Sequence, residues 1–174
     1  MAHTVLGVDL GAHTVKIVEL EVGLRTLRLI SSKVRSVGAV AADGAVDPIV
    51  RAGSAIAETL GRRRGAYVAE EAHAALPGDS VTLRLMELPF AEDKKIDAVL
   101  GFELESQVPF SIEDLLHDYV VIRRDKASSH LLVVAAKQAV IQKLLDALAT
   151  AGDDPRTVAA PPQAYAPLRP FLPP

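Results

Sequence analysis

The sequence of 174 residues contains no cysteine and no tryptophan, and only 4% of its residues are aromatic. The lack of cysteine excludes a disulfide framework and thiolate chemistry, and the scarcity of aromatic rings argues against a base-stacking platform. The net charge of −3 argues against non-specific binding to nucleic acid. No apolar run approaches the roughly 20 residues of a membrane span, and the first residues do not resemble a secretory signal. The composition therefore predicts a globular cytoplasmic protein.

The first third of the chain has the pattern of β-strands followed by a helix. Strands are predicted at residues 4–10, 15–20 and 24–37, and in the third of these Leu27, Leu29 and Val34 are expected to point inward. Asp47 and Pro48 predict a helix start. The helix would bury one face and stop at Gly61. The basic residues 62–64 that follow are interpreted as a solvated helix end.

The middle of the chain predicts a strand-helix-strand-strand segment. Alternating residues predict a half-buried strand at 81–88, which follows a short strand at 72–76. A helix is expected to open at Glu92 and Asp93. Strands at 118–124 and 130–136 would then form a hairpin. The predicted core face of the helix is Ile96, Val99, Leu100 and Leu104.

The last part predicts one more helix, a short strand and an irregular tail. The apolar stripe of this helix contains Leu144 and Leu148, and Gly152 is expected to cap its end. A strand is expected at 156–160. The tail, residues 163–174, has too many prolines for a stable terminal helix, so we expect it to be frayed or held by a partner.

Four stretches of this sequence resemble a known family. The opening GVDLGAHTVKIVELE is similar to the first phosphate motif of the actin-like ATPase superfamily. The stretches ALPGDSVTLRLMELPF, VLGFELESQVPFSIEDLLHDYVV and LLVVAAKQAVIQKLLDALATAG resemble the branch that holds the type IV pilus assembly protein PilM and the cytoplasmic part of the type II secretion protein GspL. The resemblance runs from Val5 to about Pro162, in the family's order.

The resemblance implies an α/β fold with a mixed sheet. Residues 1–80 and 137–162 would form an actin-like, ribonuclease H-like lobe. Residues 81–136 would form an inserted strand-helix-strand-strand subdomain, and 163–174 would be the proline-rich tail. In related proteins the inserted subdomain contacts partners or neighbouring subunits.

The resemblance also implies a phosphate site, which would be vestigial here, at the turn of the first hairpin. Asp9 would hold Mg²⁺ through water, Gly11, Ala12 and His13 would offer backbone N–H groups, and Lys16 would add positive charge. The competing interpretation is structural: Gly11 serves the turn and Asp9 makes local hydrogen bonds. Ala12 replaces the hydroxyl residue often found in ATP-binding members. The sequence contains no later D-x-G turn that would indicate a second lobe.

Other candidates for chemistry are weak. The five histidines, at positions 3, 13, 73, 117 and 130, lack metal-ligand spacing, so no metal site is predicted. Glu103 and Glu105 fall on different helix faces and do not form an acid/base pair. We expect no catalytic residue and no cofactor in this chain, although ATP and Mg²⁺ are possible in a complete two-lobe protein.

The function that the resemblance implies is an assembly platform at the cytoplasmic face of the inner membrane. Its partner would be a PilN-like inner-membrane protein or a GspE-like secretion ATPase, and a homodimer is possible. Membrane contact would be indirect or through a downstream segment. The alternatives are the nucleotide-binding lobe of an actin-like ATPase and a filament-forming protein similar to FtsA.

Overall fold

The computed structural model describes residues 2–11, 13–37, 47–60 and 69–161. The predictions for Ala12, Gly61, the basic residues 62–64 and the tail 163–174 fall outside these residues. Two compact units divide the chain, one formed by residues 1–78 and 142–174 and the other by residues 79–141. The functional domain boundaries that the family resemblance implies, near residues 80 and 137, stay a prediction.

The first unit is built on a five-stranded sheet, sheet A, with strand order β3-β2-β1-β4-β8. Strands β1, β2 and β3 form an antiparallel meander, and β4 and β8 run parallel to β1. The sheet is therefore mixed, as predicted. Its strands are β1 His3–Leu10, β2 Thr14–Val22, β3 Leu27–Ser36, β4 Glu71–Ala75 and β8 Thr157–Ala159.

Helix α1, Pro48–Leu60, begins at the predicted cap. The backbone N–H of Ile49 donates to Oδ1 of Asp47 at 2.9 Å, and Lys143 donates to Oδ2 of the same carboxylate at 2.8 Å. The Lys143 hydrogen bond is the main reason that the pKa of Asp47 lies below its ordinary value, and the Ile49 N–H lowers it further. Asp47 thus satisfies a free helix N–H and ties α1 to a second helix, α3, Gln138–Ala151.

Burial in the first unit follows the predicted strands, with one correction. Leu6, Val8, Val15 and Ile17 are buried on one face of sheet A. The prediction that Leu27, Leu29 and Val34 point inward is wrong, because these side chains are 70%, 59% and 63% exposed. They lie on the opposite face of β3 from Lys33, which reaches the backbone carbonyl of Thr59 in α1.

The second unit contains a three-stranded antiparallel sheet, sheet B, with strand order β5-β7-β6. One face packs on helix α2, Asp93–Glu105, whose Ile96, Leu100 and Leu104 lie in a buried cluster with Met86 and Leu131. The predicted strand-helix-strand-strand order is confirmed. The elements are β5 Val81–Leu88, α2 Asp93–Glu105, β6 Leu115–Arg124 and β7 Ser129–Lys137.

Candidate functional site

The turn between β1 and β2 is a tight backbone loop closed at Gly11. The N–H of Gly11 donates to the carbonyl oxygen of Thr14 at 2.9 Å. A Cβ atom on Gly11 would lie 3.0 Å from that oxygen, which is tighter than nine in ten real Cβ contacts, so the Thr14 backbone would have to shift by a few tenths of an ångström. Gly11 does not have a positive φ. The preference for glycine at this position therefore comes from the close approach of the Thr14 carbonyl.

The next hairpin repeats this geometry. The N–H of Gly23 donates to the carbonyl oxygen of Thr26 at 2.8 Å, and a Cβ on Gly23 would meet the Thr26 hydroxyl at 2.5 Å. Both turns have the spacing G-x-x-T. Because the second turn carries no phosphate motif, hairpin geometry alone is sufficient to explain Gly11. This observation favours the structural interpretation of the turn.

Asp9 and Lys16 face each other across the first hairpin. They are opposite in the antiparallel register, and Nζ of Lys16 donates to Oδ2 of Asp9 at 2.6 Å. The Asp9 side chain is 34% exposed and that of Lys16 is 52% exposed. Each charge is therefore neutralised by the other. A hydrated Mg²⁺ at Asp9 or a phosphate at Lys16 would have to compete with this pair.

The remaining residues of the motif add little to a ligand site. His13 is exposed, and its backbone carbonyl accepts from the N–H of Val37 at 2.9 Å. The structure brings Asp9, Gly11, His13 and Lys16 together at one end of the β1–β2 hairpin. Their role in binding phosphate stays a prediction.

Other titratable side chains form local pairs. The carboxylate of Glu71 lies 3.1 Å from Nε2 of His73 and 3.9 Å from Nε2 of His3. No group of three or more potential ligands within the described segments is arranged to hold a metal ion. Partial burial, together with a hydrogen bond to Asp97, raises the pKa of Tyr119 to about 12, so this phenol stays protonated as a structural donor.

The acidic residues of the FELESQ stretch are both exposed. Glu105 accepts weakly from the backbone N–H of Ile112 at 3.4 Å, and Glu103 projects from the same helix. His117 is exposed on β6. Among the described residues, none of these three side chains forms an ion pair, and the one hydrogen bond, from the Ile112 N–H to Glu105, is weak.

The second unit presents an apolar surface that sequence reasoning missed. On the face of sheet B turned away from α2, the register aligns Leu85, Leu132 and Val120 in one row across the three strands. Leu85 is 74% exposed. We call this surface the open sheet face. Its apolar residues include Leu83, Leu85, Leu116, Val120, Ile122 and Leu132, and Asp118 lies on the same face between Leu116 and Val120.

A row of charged residues borders the open sheet face. His130 lies 3.7 Å from the Glu87 carboxylate and 3.4 Å from that of Asp125, and the Arg123 guanidinium also contacts its ring. Beside this row, a groove of about 520 Å³ runs along Leu85 and Ile122. An apolar patch with a polar border is typical of a protein-binding surface.

Solved structures share this fold. The chain matches one chain of a structure described as the PilM-PilN type IV pilus biogenesis complex, with 25% identity over 96% of the chain and a TM-score of 0.75. It matches the cytoplasmic domain of EpsL, an inner-membrane component of the type II secretion system of Vibrio cholerae, with 18% identity over 89% of the chain and a TM-score of 0.57. A Bacteroides thetaiotaomicron protein with an actin-like ATPase fold matches over 97%, with 9% identity and a TM-score of 0.50.

The fold is therefore that of an actin-like ATPase lobe, as the family resemblance implied. A family model described as type IV pilus assembly protein PilM matches residues 7–166. The chain belongs to the PilM family.

The match is to part of each relative. The chain covers 49% of the matched chain of the PilM-PilN complex, 56% of the EpsL domain and 55% of the Bacteroides protein, so it spans about half the length of these relatives. No curated protein sequence matches it significantly. None of the described helices has the length and apolar content needed to cross a membrane.

Proposed function

We propose that this chain is an actin-like assembly-platform module that binds a PilN-like inner-membrane protein at the cytoplasmic face of the inner membrane. The observation that carries this proposal is the 25% identity to one chain of the PilM-PilN complex over 96% of this chain. The likeness to the EpsL domain, at 18% identity, shows the fold alone. A PilN-like partner is therefore better supported than a GspE-like secretion ATPase.

The open sheet face is the candidate docking surface for this partner. Leu85, Val120 and Ile122 are 74%, 48% and 58% exposed, and they lie together on one side of sheet B. Covering such side chains with an apolar segment of a partner is favourable at about 25 cal/mol per Å² of apolar surface. The charged row at Glu87, Arg123 and His130 would fix the orientation of the segment.

Serine at both Leu85 and Val120 is expected to weaken binding of the PilN-like protein of the same organism by about tenfold or more. The reason is the loss of two neighbouring apolar side chains from one row. Calorimetric titration with a soluble form of that protein measures the affinity. Both positions are exposed, so the fold should keep its stability within about 0.5 kcal/mol.

The matched control is Phe102→Ser, because Phe102 is 78% exposed but lies on α2, on the other side of sheet B. This control should bind like the wild type. Unchanged affinity in the double variant would remove the open sheet face from the proposal. Absence of any binding by the wild-type chain would contradict the proposal that a PilN-like protein is its partner.

A second candidate function is nucleotide binding by an actin-like lobe. It is favoured by the placement of Asp9, Gly11 and Lys16 at one hairpin, where a carboxylate, a turn and an ammonium group adjoin. We expect no ATP hydrolysis that depends on Asp9, because the 2.6 Å ion pair to Lys16 occupies the carboxylate. Phosphate release by the wild type and by Asp9→Ala measures this. Hydrolysis by the wild type that disappears in Asp9→Ala would support the enzyme instead.

A further inference from the structure

The outer edge of β3 is a long strand edge that no described strand covers. β3, Leu27–Ser36, is the outermost strand of sheet A and is ten residues long. No strand within the described ranges pairs with its outer side. Such an edge presents a row of backbone N–H and C=O groups that can pair with another strand. Sheet edges of this kind bind extended peptides by strand addition.

The side chains of β3 divide into two kinds, one on each face. Leu27, Leu29 and Val34 lie on the face turned away from α1 and are largely exposed. The bulge residue Ile30 is 47% exposed, and Leu24, in the preceding turn, is 97% exposed. A run of exposed aliphatic residues along an edge strand is unusual for a protein that stays unbound.

The other face of β3 is basic. Arg28, Lys33 and Arg35 pair in register with Glu21, Ile17 and Val15, which places them on the α1 side. The segment 23–37 contains four basic residues and no acidic residue, although the whole chain has a net charge of −3. Arg28 is paired with Glu21 at 2.9 Å, whereas no ion pair is found for Arg25 or Arg35 within the described part of the chain.

We propose that the β3 edge binds an extended protein segment in which acidic and apolar residues alternate. Side chains of an added strand also alternate between the two faces of the sheet. Its acidic residues would meet Lys33 and Arg35 on one face, and its apolar residues would meet Leu27, Leu29 and Val34 on the other. A lipid surface approaching from one side could contact only one of these two sets.

This surface lies in the unit formed by residues 1–78 and 142–174, whereas the open sheet face lies in residues 79–141. The inference is therefore independent of the proposed function. A negative result for binding of the PilN-like protein would not argue against the β3 edge as a binding site. A negative result at the β3 edge would not argue against the PilN-like partner.

A labelled decapeptide of alternating glutamate and valine is the probe, with alternating lysine and valine as the comparison. Fluorescence anisotropy should show binding of the acidic peptide only. Glutamate at both Arg25 and Arg35 should weaken this binding on the order of tenfold. The double substitution reverses the charge of Arg35 on the basic face of β3 and of Arg25 in the turn that precedes the strand, and the described residues form no ion pair with either. The control Lys94→Glu with Lys126→Glu changes the net charge equally, at exposed positions in the other unit, and should bind like the wild type.

Amide hydrogen exchange tests whether the peptide adds as a strand. The acidic peptide should slow exchange in residues 27–36, and the same peptide N-methylated at alternate residues should fail to do so. Equal binding of both peptides, or binding without protection of β3, would overturn the proposal. Protection of β3 by phosphatidylglycerol vesicles without peptide binding would assign the edge to a membrane. Concentration-dependent protection without any ligand would assign it to a second copy of the chain.

Discussion

Replacing Leu100 by aspartate is expected to lower the free energy of unfolding of the 79–141 unit by about 4 kcal/mol or more. Leu100 is only 3% exposed and lies in the buried cluster with Met86, Leu131 and Val133. The substitution removes apolar packing and places a carboxylate where it has no partner. For a unit of this size, such a loss approaches its total stability. Exchange rates of the amides in β5, β6 and β7 measure the effect locally.

Phe102→Asp is the matched control, because it introduces the same charge two residues along the same helix. Phe102 is 78% exposed, so its replacement should change stability by no more than about 0.5 kcal/mol. A folded Leu100→Asp variant with wild-type exchange rates would show that α2 is rotated relative to its sheet. A large loss in both variants would indicate general sensitivity of the helix instead.

Replacing Gly53 by alanine is expected to destabilise the unit formed by residues 1–78 and 142–174 by about 1–3 kcal/mol. A Cβ at Gly53 would lie 2.7 Å from Cβ of Ala147 and 2.9 Å from its carbonyl oxygen. Since α3 supplies that oxygen from its backbone, the two helices would have to separate. Urea denaturation followed by helical circular dichroism measures the change.

The control for this prediction is Gly101→Ala in α2. There the nearest atom to a new Cβ is Cγ1 of Ile112 at 3.7 Å, an ordinary contact. Alanine should therefore give its usual gain over glycine within a helix, about 0.5–1 kcal/mol. The two substitutions are chemically identical and should differ in sign. A gain of the same size at Gly53 would contradict the close helix contact.

The positions of strands and helices were largely predictable from periodicity. The predicted strand 81–88 has the observed bounds of β5, and Gly152 ends α3 with a positive φ of 88°. The strand predicted at 118–124 begins three residues after the observed start of β6, Leu115. Alternation of apolar and polar residues and glycine at a helix end both reflect local backbone structure. They can therefore be recognised in a single sequence.

Which face of a strand is covered was less predictable. In β3 the aliphatic residues lie on the exposed face, and in β5 Leu85 is exposed whereas Met86 and Leu88 are buried. Periodicity identifies the residues that share a face of a strand. Which of the two faces is buried depends on where a helix from another part of the chain packs. The inward face was predicted wrongly for β3 and was not assigned for β5, and the two surfaces proposed for binding lie on these two strands.

At the hairpin, the residue types were predictable and their pairing was not. Two interpretations were open, separate roles of Asp9 and Lys16 toward Mg²⁺ and phosphate, or local hydrogen bonds of Asp9 within the turn. The antiparallel register makes these two residues a cross-strand ion pair, which agrees with the second interpretation. That register depends on the length of the turn. The G-x-x-T spacing repeated at Gly11 and Gly23 was not used in the sequence analysis, and it is the signal that could have indicated two turns of one kind.

The connection between β4 and β8 has a consequence for biosynthesis. These two strands are neighbours in sheet A, yet residues 76–156 separate them along the chain. All the strands of sheet B and helix α2 lie within that interval. A ribosome therefore releases every segment of the 79–141 unit before it releases the strand that completes sheet A, and domains generally fold as units during synthesis. During synthesis the 79–141 unit can therefore fold while β4 is not yet paired with β8.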